Sequence, residues 1–142
     1  MRPVRALLTA GTLLTLPAGF LLAAGPATAG APAIVRQLGS CRAQGDYATC
    51  VASGSVNNPQ SIHVYVSAGP AQKVINGNWD VVCSEGTGAG SKSGSFEGWA
   101  SDKHPLRRTV RMPYRRPDSC TVSADAQLSH GGHLHIWLTA QK

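Results

Sequence analysis

At 142 residues the chain is long enough for one domain once a leader is set aside, and too short for two. Thirteen Lys and Arg against seven Asp and Glu give a formal charge of +6, basic without being extreme. The four cysteines show no C-x-x-C spacing, which leaves a zinc ribbon or a thioredoxin-type redox pair without support.

The first stretch, "MRPVRALLTAGTLLTLPAGFLLAAGPATAGAPA", places Arg2 and Arg5 ahead of an apolar run and ends on a small-residue Ala27-Thr28-Ala29 step. That is the pattern of a secretory signal peptide, residues 1–29, with cleavage after Ala29 and with Ala31 or Ala33 as alternatives. Pro17 and Gly19 interrupt the run and argue against a retained membrane anchor. A single mature domain, residues 30–142, is then expected outside the cell with no membrane contact. Without Arg2 and Arg5 it carries 11 basic and 7 acidic residues, a charge of +4.

Cys41, Cys50, Cys83 and Cys120 all fall in this exported part, where an even count reads as two disulfides. Three pairings are possible. Cys41 with Cys50, across "RAQGDYAT", is favoured by proximity, and Cys83 with Cys120 by the strand pattern. From Gly39 onward hydrophobic residues alternate with period two between clusters of Gly, Pro, Asn and Ser, and no helical period occurs. Strands are predicted within 34–39, 48–56, 61–68, 78–84, 95–100, 106–112, 120–129 and 133–140. "AGPAQKVINGN" and the Gly/Ser tract "GTGAGSKSGS" read as loops by composition.

Strand phase sharpens this. Ile62, Val64 and Val66 share one face and His63 and Tyr65 the other; Trp79, Val81 and Cys83 are in phase, as are Cys120, Val122, Ala124, Ala126 and Leu128. Both later cysteines therefore point inward. A buried bridge beside an aromatic, clamping two sheets, is the arrangement of an immunoglobulin-like antiparallel β-sandwich, the predicted fold.

"LGSC" followed by Cys50, "WDVVCS" with its Gly/Ser loop, and "MPYRRPDSCTVSADAQL" together resemble a group of small exported proteins of high-GC actinobacteria. The resemblance spans nearly the whole mature chain. It implies a disulfide-bonded β-sandwich and assigns no activity.

Catalytic signatures are missing from the sequence. "GTGAGSKS" has Ser91 where a phosphate loop needs Gly before Lys92, and no helix follows. There is no G-x-S-x-G elbow and no S-x-x-K, and the seven carboxylates form no close local pair. The chain is read as non-enzymatic.

Three features remain. In "KHPLRRTVRMPYRRPDSC" a single strand would project Arg107 and Arg111 from one face, where two guanidiniums could meet phosphate or carboxylate; without an aromatic ladder this argues against nucleic acid. In "SHGGHLHIW" burial favours a hairpin with a three-residue loop, His130-Gly131-Gly132, over a two-residue turn, with Gly132 at positive φ. That register sets Leu128 opposite Leu134, Ala126 opposite Ile136 and Ala124 opposite Leu138. Outside, Ser129 would lie beside His133, Gln127 beside His135, Asp125 beside Trp137 and Ser123 beside Thr139. His133 and His135, with His130 as a third candidate, could hold Zn or Cu; otherwise no cofactor is expected. Trp137, flanked by Gln127 and Asp125, could stack on a sugar or anchor a protein.

The sequence thus predicts an exported binding or surface-interaction module, its partner a cell-wall polymer, glycan or protein. The alternatives are a metal-binding protein and a small protease inhibitor, the latter lacking a rigid braced reactive loop.

Overall fold

The computed structural model describes residues 33–142, so the leader and its cleavage point lie outside the described residues. Among the described residues eight strands form: β1 Val35–Gly45, β2 Thr49–Asn57, β3 Ser61–Gly69, β4 Gln72–Glu85, β5 Gly88–Ala100, β6 Leu106–Thr109, β7 Ser119–Leu128 and β8 Gly132–Gln141. All pairings are antiparallel. The front sheet has the order β1-β8-β3-β6 and the back sheet β2-β7-β4-β5.

The expected two-layer antiparallel sandwich with its two cystines is what the chain adopts. Within that architecture the strand order is that of a jelly roll, in which all connections but β4–β5 cross from one sheet to the other. The period-two pattern builds the core directly: Ile62, Val64 and Val66 of β3 and Leu134, Ile136 and Leu138 of β8 meet Val122, Ala124, Ala126 and Leu128 of β7, all at most 1% exposed.

Both disulfides pair as expected, but their jobs are exchanged. Cys83 and Cys120 face each other in register on neighbouring strands of the back sheet, with Cα atoms 4.1 Å apart, so this buried bridge staples β4 to β7 inside one layer. Cys41 lies on β1 and Cys50 on β2, so the bridge predicted to span a short turn is the one that joins the two sheets. Beside it Gly39 and Gly54 let β1 and β2 touch backbone to backbone: a Cβ on Gly54 would lie 2.6 Å from the Leu38 carbonyl oxygen.

Two predicted loops are strand. The Gly/Ser tract becomes most of β5, paired with β4 from Gln72↔Ala100 to Glu85↔Gly88. Its glycines are clearance for aromatic rings: a Cβ on Gly94 would lie 2.5 Å from Trp79 Cζ2, and one on Gly90 3.1 Å from Tyr114. "QKVINGN" likewise belongs to β4, interrupted by a register shift where Asn76 adopts φ 50°.

The largest departure concerns "SHGGHLHIW". β7 and β8 belong to different sheets, so residues 129–131 arch over the end of the sandwich and no β7–β8 hairpin register exists. Leu128, Ala126 and Ala124 do face the same core as Leu134, Ile136 and Leu138, but across it. Periodicity reports which side of a strand faces inward, and both arrangements satisfy that. Gly132 has φ 153°, and a Cβ there would lie 2.6 Å from the Gly69 carbonyl oxygen.

The arch is pinned by Gln72, which is 5% exposed. Its Oε1 accepts from the His130 N–H at 2.9 Å, and its Nε2 donates to the carbonyls of Gly131 at 3.2 Å and Pro70 at 3.3 Å. Gln72→Leu keeps the volume and strands these groups, so unfolding stability should fall by about 1–3 kcal/mol. Urea denaturation checks this; an unchanged midpoint would show that the arch does not depend on Gln72.

Candidate functional site

The outer face of the front sheet gathers what the sequence scattered. Register aligns three rows across β6, β3, β8 and β1: Thr109, His63, Thr139 and Gln37; Arg107, Tyr65, Trp137 and Ser40; then Ser67, His135 and Arg42 on the last three strands. Alternation along each strand turns these side chains outward while their neighbours fill the core.

The middle row is a stack. Tyr65 and Trp137 lie 5.2 Å apart and 7° from parallel, and His135 packs on the same indole at 4.8 Å. The guanidinium of Arg107 sits 5.8 Å from the Tyr65 ring centre. Arg107 Nη2 also donates to His63 Nε2 at 3.0 Å, while Thr109 Oγ1 lies 3.2 Å from His63 Nδ1. A guanidinium can only donate, so this contact favours the neutral ring with Nε2 accepting.

Burial and the adjacent Arg107 both hold His63 below the usual histidine range. His135 is lowered in the same way, by burial and then by Arg42, with Asp102 pulling the other way. An open cleft of about 460 Å³ lies at this end of the sheet, between Arg42, Gln44, Ser67, Asp102, His133 and His135. In it Asp102, from the β5–β6 connection, meets His133 Nε2 through both oxygens at 2.9 and 3.1 Å.

The structure therefore keeps His133, His135 and Trp137 on one face, with Arg107 beside them, and removes the other expected neighbours. Asp125 and Gln127 point out from the back sheet, where they accept from Asn78 Nδ2 at 3.3 Å and Asn76 Nδ2 at 2.9 Å. Ser129 and Ser123 are likewise not beside His133 and Thr139. Arg111 falls past the end of β6, because pairing stops after the Val110 N–H bonds the Ile62 carbonyl and Pro113 follows. It does not share a strand face with Arg107. Arg108 turns the other way, donating to the Glu97 carbonyl at 2.8 Å.

His130 sits exposed on the arch, with Nδ1 sharing a 2.9 Å hydrogen bond with Ser129 Oγ. Among the described residues no group of three or more His, Cys, Asp or Glu is arranged around a common metal position. Sequence reasoning did not single out Arg42, His63, Tyr65 or Asp102. The parity of His63 and Tyr65 was readable, but their placement beside Trp137 depends on β3 neighbouring β8.

No family model matches the chain, and no curated protein sequence matches it. Among solved structures it is similar to a protein described as TmCBM61 in complex with beta-1,4-galactotriose, at 10% identity and a TM-score of 0.40, over 78% of this chain and 70% of that one.

Proposed function

We propose that the chain is an exported, non-enzymatic binding module whose binding surface is the outer face of the front sheet. One observation carries this: the row Arg107–Tyr65–Trp137 and the adjacent His135–Arg42 pair form one continuous, solvent-facing strip of cationic, aromatic and imidazole groups across all four strands. Aromatic rings and arginine concentrate at surfaces that bind. Two cystines, and the leader-like N-terminal sequence, support a place outside the cell.

Trp99 favours a second reading. It is 72% exposed on the outer face of the back sheet, next to the Lys73–Glu97 ion pair at 3.1 Å, and its indole is open to a sugar or a protein. Affinity electrophoresis through gels holding soluble polysaccharides, neutral and acidic, separates the two. The front-face reading expects at least one polymer to retard the protein and Arg107→Ala with Trp137→Ala to abolish the retardation, while Trp99→Ala leaves it. Retardation lost only in Trp99→Ala, or none with any polymer, would overturn it.

A further inference from the structure

The outer faces of the two sheets differ in charge, the front carrying Arg42 and Arg107 with Asp102 at one end. Among the described residues the side-chain ion pairs are Lys73–Glu97 and His133–Asp102, so Arg42 and Arg107 on the front face have no carboxylate partner. Each instead neighbours an imidazole: Arg107 contacts His63 at 3.0 Å, and Arg42 stands in register with His135, whose pKa is lowered by burial and then by that arginine's charge. The outer face of the back sheet carries Asp80, Asp125 and Glu97 with Lys73. Without a ligand the neutral imidazole serves the guanidinium as an acceptor; around an anion the ring can take up a proton, and both groups then donate to it.

We infer that the front face takes an anionic polysaccharide, gripped at two points by Arg107 with His63 and by Arg42 with His135, and that binding draws protons onto the two imidazoles. This rests on the front face being the binding surface. The two arginines stand on the opposite edge strands, three strand spacings of about 4.8 Å apart, so one small anion cannot meet both and a charged chain can. Beside them Ser40 and Thr139 offer hydroxyls suited to sugar oxygens.

Nucleic acid fits less well. Base recognition uses free ring faces, and the Trp137 ring is already stacked by Tyr65 and His135.

The proton coupling follows from what surrounds each imidazole. His63 faces Arg107 and Thr109 of β6, Ser61 and Tyr65 of its own strand, and Thr139 of β8, with no carboxylate among them. His135 faces Arg42 of β1, Ser67 of β3 and His133 of its own strand, with Asp102 the one negative group nearby. Both rings are held below the ordinary value near 6.5 by burial and by the arginine. A bound sulfate or carboxylate neutralises the arginine and accepts from the protonated ring, which raises both values. The complex then binds more protons than the free protein, so affinity rises as pH falls and levels off below the free-state values.

The test is binding of the oxidised protein to four probes: heparin, polygalacturonate, neutral galactan and a single-stranded oligothymidylate. Heparin and polygalacturonate should both bind, with the sulfate and carboxylate arms showing which anion is preferred, and 0.5 M NaCl should weaken binding about tenfold or more. Heparin, whose sulfates stay charged, should bind about tenfold or more tightly at pH 5.5 than at pH 7.5, since one pKa unit on one imidazole is a factor of ten. In the His63→Gln, His135→Gln double variant that ratio should fall toward one. Galactan binding as well as the acidic polymers and lost in Trp137→Ala would overturn the anion inference while keeping the site. Stronger binding of the oligothymidylate, or a pH ratio unchanged in the double variant, would overturn it too. If no probe binds, the site reading fails with it.

Discussion

Removing both disulfides is expected to unfold the domain near physiological temperature. The bridges close loops of 9 and 37 residues in sequence separation, which on a chain-entropy estimate contribute about 3 and about 4 kcal/mol. Small domains are stable by only about 5–15 kcal/mol, so the two together account for a large part of the total. The effects should differ in kind. Cys83→Ala with Cys120→Ala loosens one sheet and also leaves space in the core, where both sulfurs are at most 2% exposed. Cys41→Ala with Cys50→Ala frees the edge strands of the two layers from each other. Calorimetry should show Tm lower by about 10 °C or more in either double variant, and no cooperative transition above 37 °C in the quadruple one. A quadruple variant melting with the oxidised protein would refute the stapled-sandwich account.

Ile136→Ala should cost about 2–5 kcal/mol, the range for emptying a buried aliphatic site. Ile136 is fully buried, in the middle of β8, paired with Cys41 on one side and Val66 on the other. Backbone pairing on both flanks limits how far the chain can collapse into the hole. The same substitution places the defect directly beneath the strip, since His135 and Trp137 are its neighbours in sequence. Urea denaturation should give a lower midpoint with an unchanged slope, and ligand affinity should weaken only to the extent that the native fraction falls. A cost below about 1 kcal/mol would mean that the β8 core is not packed as described.

What could be read from the sequence was whatever period two encodes. Each of the eight strands was placed, the inward and outward residues of β3, β7 and β8 were assigned correctly, and the inward phase of Cys83 and Cys120 gave their pairing. Neighbour relations were another matter. A strand's alternation is the same whether its partner lies beside it or across the core, so β7 and β8 read as a hairpin though they stand in opposite sheets. That one difference moved Asp125 and Gln127 to the far side of the molecule and brought Tyr65 and Arg42 to flank His135 and Trp137. The Gly/Ser tract misled for a related reason: composition registers the missing side chains of Gly90 and Gly94, but not the Tyr114 and Trp79 rings that occupy their place.

The front face as the binding surface is tested most directly by nuclear magnetic resonance of the labelled, oxidised protein during titration with the polysaccharide that retards it most. The account expects the Trp137 indole N–H, the His63 and His135 rings and the backbone of β3, β6 and β8 to shift together, at one common affinity. Shifts confined to the back sheet around Trp99, Asn78 and Asp125 would contradict it.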